Sequence, residues 1–154
     1  MARPQGKYLV DTNLFIDGFR DPTANQALQQ FHHSFAPFEY LSVVVAQELR
    51  SGVHSASDLR KLERHVLSPF VRSNRVITPS FRAWQRSGDV IAALARRDGF
   101  EVRDVSKAFG NDVLLALTCR EAGMTLVTGN TRDFERIQRI VSFRFVEAWP
   151  VPRL

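Results

Sequence analysis

Side chains able to do chemistry stand where short apolar runs end. Asp11 follows Tyr8-Leu9-Val10, and Glu48 lies on the segment leaving Tyr40-Leu41-Ser42. Asp112 heads a long apolar stretch, and Asn130 and Asp133 follow Thr125-Leu126-Val127-Thr128. Several ionised carboxylates within a few ångströms repel each other, so they need a counter-charge or must take up protons. A divalent cation supplies that charge. Oxygen donors with few histidines favour Mg²⁺ or Mn²⁺ over zinc.

Each acid also has a plainer reading. Asp11 could simply cap the helix that follows it. Glu48, on a helix, could be a solvated surface residue. Asp112, read as lying in the first turn of its helix, could stabilise the helix dipole. The chemical reading therefore depends on whether the fold brings them together.

The pattern of elements allows that. Tyr8 to Val10 reads as a buried strand, with helical spacing from Asn13 to Phe19. Asp21 and Pro22 open a second helix running to about Phe35. Tyr40 to Ser42 is a second strand, and from Val43 onward Val45, Leu49 and Val53 share a helix face with Glu48 beside it. Ser57 or Asp58 caps a helix that buries Leu59, Leu62 and Val66 and is expected to stop near Pro69. Val76-Ile77 is a third strand, followed by a long helix from Pro79 to Arg97 that ends at Gly99. Residues 101–110 read as an irregular loop. A helix runs from Asp112 to Ala122, closed by Gly123. Residues 125–128 form a fourth strand, 130–140 a short helix and 143–146 a last strand. Strands separated by helices imply an α/β fold: a parallel central sheet of about five strands flanked by helices on both faces. In such sheets ligands bind at the carboxyl ends of the strands, where Asp11 stands.

Length and composition set the frame. At 154 residues the chain is expected to be one domain, residues 1–154, with no repeat or linker dividing it. No apolar run is long enough to span a membrane, and Met1-Ala2-Arg3-Pro4 lacks the apolar core of a secretory signal, so the expected compartment is the cytoplasm. The lone Cys119 excludes an internal disulfide or a cysteine-based zinc cage and reads as a small core residue. A formal charge of +5 favours approach to a polyanion without specifying one.

Taken in order, these segments resemble a known family, the PIN-domain ribonucleases, especially VapC-type toxins of bacterial toxin–antitoxin pairs. Asp11-Thr12-Asn13 is similar to their opening motif and Gln47-Glu48-Leu49 to the second. Asn111-Asp112 with its apolar helix resembles the third, and Thr128-Gly129-Asn130-Thr131-Arg132-Asp133-Phe134 the fourth. The resemblance covers nearly the whole chain. It implies a PIN fold and Mg²⁺-dependent endonucleolytic cleavage of RNA, with Mn²⁺ as a substitute. Asp11, Glu48 and Asp112 match the metal-binding acids, Asp11 and Asp112 first among them. The fourth position falls to Asn130 or to Asp133, the latter through a water because Mg²⁺ gives up its hydration reluctantly. Many relatives have an aspartate where Asn130 stands, while others pair an asparagine there with an acid three residues on, as Asp133 is. Thr12, Asn13, Thr128 and Asn130 would be supporting polar residues. Metal-assisted hydrolysis needs no histidine and yields 5′-phosphate and 3′-hydroxyl ends. The family also implies a VapB-like antitoxin partner and a homodimer.

Other readings are poorer. His32, His33, His54 and His65 lack ligand spacing. There is no glycine-rich dinucleotide motif and no P-loop. A phosphatase of the haloacid dehalogenase type would want an aspartate where Asn13 stands. Arg132, Arg136 and Arg139 share a helix face and could meet RNA phosphates or form an ordinary solvated surface. Leu28, Phe31, Phe35 and Phe38 could line an antitoxin groove or belong to the core. Two rival functions remain: a housekeeping PIN nuclease in RNA processing or DNA cleavage without an antitoxin, and a PIN module that binds RNA or protein without cleaving.

Overall fold

A computed structural model describes residues 6–152. The signal-peptide reading of Met1-Ala2-Arg3-Pro4 and the last two residues of the expected 1–154 domain lie outside that range. The five apolar runs form five strands: β1 (Lys7–Val10), β2 (Glu39–Ser42), β3 (Val76–Ile77), β4 (Met124–Thr128) and β5 (Arg144–Glu147). They pair in parallel in the order β3-β2-β1-β4-β5. The chain builds outward from β1 to β3, then returns to the other side of β1. Strand order thus reverses between β1 and β4, and the crevice of an open parallel sheet forms at such a reversal, outside the carboxyl ends of its strands.

The crossovers are α1 (Thr12–Arg20), α2 (Pro22–Phe35), α3 (Val43–Ser51), α4 (Ala56–Leu62), α5 (Ser68–Arg72), α6 (Phe81–Asp98), α7 (Lys107–Ala122) and α8 (Thr131–Gln138). They cover both faces of the sheet, as the alternation implied. Central to the fold is α7, whose residues 113–119 are buried without interruption. A helix apolar on every side belongs inside, not on a surface. Its Thr118 hydroxyl is satisfied by the Leu114 carbonyl one turn back (2.7 Å). Cys119 is buried in the core, and burial pushes its thiol far above the usual range, so it is inert. Gly99 and Gly123 close α6 and α7 at φ +73° and +66°, the left-handed conformation that a side chain disfavours. Among the described residues, no helix is long and apolar enough to cross a membrane.

Two local expectations are corrected and one open alternative is decided. Residues 101–110 are not all loop: a 3₁₀ turn spans Val102–Asp104, and α7 begins at Lys107 because the Ser106 hydroxyl accepts from the Phe109 amide (3.1 Å). Asp112 therefore lies in the second turn of its helix, too far in for the dipole reading to explain it. Pro69 does not end the helical path. Glu63–Leu67 is a π-helical stretch in which the Ser68 amide reaches back to the Glu63 carbonyl, and Pro69 falls in the opening turn of α5, where its missing N–H is not needed. Leu28, Phe31 and Phe35 are core residues: Phe31 stacks on Phe35 at 4.4 Å between ring centres, with Tyr8 and Trp149 against them. Of that proposed groove only Phe38 stays half-buried.

Candidate active site

Asp11 stands one residue past β1, where its amide still bonds to the Val127 carbonyl of β4 (2.9 Å). It is also the N-cap residue of α1, so the capping reading holds beside the chemical one. The carboxylate is only 3% exposed and each oxygen has one donor: Oδ1 accepts from the Thr12 amide (2.8 Å) and Oδ2 from the Thr128 hydroxyl (2.8 Å). The Thr128 oxygen accepts in turn from the backbone N–H of Asn130 (2.9 Å). Thr12 carries the network the other way, its hydroxyl donating to Glu48 Oε1 (3.0 Å). Strand register and one N-cap thus fix four of the residues singled out above.

Asn130 heads α8 without capping it by its side chain. Its Nδ2 instead donates to Asp133 Oδ2 (3.1 Å) and, at 3.5 Å, to Asp112 Oδ2. An amide donor held between two carboxylates reduces their repulsion. On the outer side, Arg136 lies 3.6 Å from Asp133 Oδ1 and 3.0 Å from Asp98 Oδ2, its guanidinium over the Phe109 and Phe100 rings. Arg136 is therefore engaged by two acids and two rings. Arg132 and Arg139 are exposed, as is Asn13. Asp98 escaped sequence reading, although a signal existed. An acid in the last turn of a helix opposes the helix dipole and calls for a partner.

Electrostatics tie the acids together. Burial is the main cause pushing the Asp112 carboxyl up to about 8, and Asp11, Asp133 and Glu48 add to it in that order. Asp11 is also raised, by burial first and by Glu48 last, against the lowering pull of its bonds from Thr128 and Thr12. The donors here are hard oxygens carrying more negative charge than the crevice can hold unprotonated, which fits a divalent cation in kind and in charge. Among the described residues, however, no three acids, histidines or cysteines stand together as a finished metal cage. The histidines are elsewhere. His32 Nδ1 is 2.5 Å from Glu39 Oε2, at the opposite end of β2 from the crevice, and His33, His54 and His65 are exposed.

The chain belongs to the PIN-domain family, whose sequence profile matches residues 8–140. In fold it is similar to DNA-bound VapBC from Salmonella typhimurium, with a TM-score of 0.68 and 24% identity over 93% of this chain and 98% of that one. It is also similar to FitAcB from Neisseria gonorrhoeae, at 0.66 and 20% over 94% and 99% of the two chains. A toxin–antitoxin complex from Klebsiella pneumoniae gives 0.56 and 23% over 94% and 100%. No sequence among curated proteins matches the chain.

Proposed function

We propose that this protein is a metal-dependent endoribonuclease acting in the cytoplasm as the toxin of a VapBC-like pair. The observation that carries the reading is the raising of the Asp11 and Asp112 carboxyls by burial and by the neighbouring acids, Glu48 and Asp133 among them, in one crevice at the switch point of the sheet. A surface would disperse such charges, whereas a site for a cation and a phosphate must gather them.

Asp11 and Asp112 would hold the ion most directly, with Glu48 and Asp133 completing its surroundings, the latter through a water. A bound Mg²⁺ or Mn²⁺ supplies Lewis acidity and an activated water for phosphodiester hydrolysis. The chain's own residues do the rest. Thr128 and the Thr12 amide fix both oxygens of Asp11, so its orientation is set before substrate arrives. Thr12 holds Glu48 turned towards Asp11. Asp112, whose carboxyl is pushed up to about 8 in the metal-free crevice, would have to release its proton to bind an ion. Asn130 keeps Asp112 and Asp133 from splaying apart.

The toxin assignment draws on the similarity in fold to VapBC, FitAcB and the Klebsiella complex. On that reading the partners are an RNA substrate, a VapB-like antitoxin and a second copy of the chain. Expression in a bacterial host tests it: growth should slow and recover with Asp11→Ala or with the cognate antitoxin. Normal growth at confirmed soluble expression in the native host would return the chain to the housekeeping nucleases.

A further inference from the structure

At the other end of the molecule lies a cleft that the crevice does not use. A cavity of about 560 Å³ is lined by Arg82 and Arg86 of α6, Arg120 near the end of α7, Arg144 at the start of β5, and Glu121. Four guanidinium groups against one carboxylate leave three net positive charges in one concavity, where the whole chain carries a formal +5. None of the four arginines makes an ion pair with a described residue. Arg120 is fixed by donating to the Ser142 carbonyl (2.8 Å), and Glu121 is engaged by the Ser80 hydroxyl (2.5 Å). Arg82 and Arg86 are one helical turn apart, a spacing at which like charges repel. Such a grouping is unfavourable until an anion fills it.

We propose that this cleft is a second RNA-binding site, gripping the sugar-phosphate backbone of a single strand away from the scissile bond. Planar guanidinium groups suit phosphate because each can donate two parallel hydrogen bonds to it. A cleft of about 560 Å³ can take in a stretch of one strand but is too small to enclose a duplex. The 18-residue helix α6 links the two places: Asp98, at its far end, meets Arg136 beside the acidic crevice. Such a helix is about 27 Å long, so one extended RNA strand can occupy both sites. The choice of RNA rests on the ribonuclease reading above, but the cleft and its charge do not.

The test is binding, not cleavage. Fluorescence anisotropy in EDTA measures the affinity of the full chain for a labelled single-stranded RNA of about 16 nucleotides across a salt series. For Arg86→Gln with Arg144→Gln we expect affinity to fall roughly tenfold and the slope of log affinity against log salt to drop by about 1.4, as for two lost phosphate contacts on a single strand. The Arg86→Lys, Arg144→Lys protein should recover part of both, and melting curves establish that each variant is folded. Unchanged affinity and slope in the folded double variant would overturn the proposal even if the chain cleaves RNA. Loss of binding in that variant would uphold it even if no cleavage is ever seen. A variant-sensitive preference for duplex DNA, an acidic peptide or phosphatidylserine vesicles over RNA would overturn the assignment of the ligand.

Discussion

Replacing Asp112 by Asn should make the metal-free protein more stable while abolishing its activity. In the folded state this carboxyl is pushed up to about 8, against 3.8 for the free side chain. The folded protein therefore keeps a proton that the unfolded chain releases, and its stability falls as pH rises from about 4 to about 8. At roughly 1.4 kcal/mol per pH unit, the loss at neutral pH is at most about 4 kcal/mol. Asp112 is half-buried and water in the crevice screens part of this, so we expect the variant to gain about 2 kcal/mol, or roughly 4–8 °C in melting temperature. Near pH 4 the carboxyl is protonated when folded and only partly ionised when unfolded, so less than about 1 kcal/mol of the loss has accrued and the two proteins should melt nearly together. Asparagine keeps the shape and can still accept from the Asn130 amide. Thermal melts at about pH 4 and pH 8, with and without Mg²⁺, give a readout independent of cleavage. Mg²⁺ should stabilise the wild type, by about 2.7 kcal/mol at a hundredfold excess over its Kd, and the variant far less. A variant no more stable than the wild type at pH 8, with equal response to Mg²⁺, would refute the electrostatic reasoning.

Asp133→Asn should raise the Mg²⁺ concentration needed for cleavage more than Asn130→Ala does, because the carboxylate adds charge and the amide does not; metal titrations of activity compare them. Thr128→Val removes a buried donor from Asp11 and an acceptor from the Asn130 amide, and should cost about 1.5–3 kcal/mol in urea denaturation. His32→Leu leaves the side chain of Glu39, only 2% exposed, without its hydrogen-bond partner and should cost about 1–3 kcal/mol. Adding Glu39→Leu should recover much of that loss in the same denaturation experiment.

The strands and the order of the acids were legible because short apolar runs followed by helical spacing leave little choice of element. Asp11 and Thr128 meet because β1 and β4 pair with Val10 beside Val127, a register no local pattern encodes. Ser106 was hidden as a cap by the apparent breaker Gly110, which lies inside α7 and moves Asp112 into its second turn. Pro69 was misread because a π-helical stretch is a tertiary accommodation without a sequence signature. Glu39 resembles any polar residue at the start of a strand; only its pairing with His32 of α2 makes it a buried acid. The arginine cleft draws Arg82, Arg120 and Arg144 from two helices and a strand, so its charge is invisible as a run.

Incubating the purified chain with a panel of RNAs across a Mg²⁺ series, and identifying the chemistry of the cut ends, tests the central claim most directly. We expect cleavage that rises with Mg²⁺, stops in EDTA and in Asp11→Ala, and leaves 5′-phosphate and 3′-hydroxyl ends. Cleavage that persists in EDTA, leaves 2′,3′-cyclic phosphates, or survives the loss of Asp11 would contradict it.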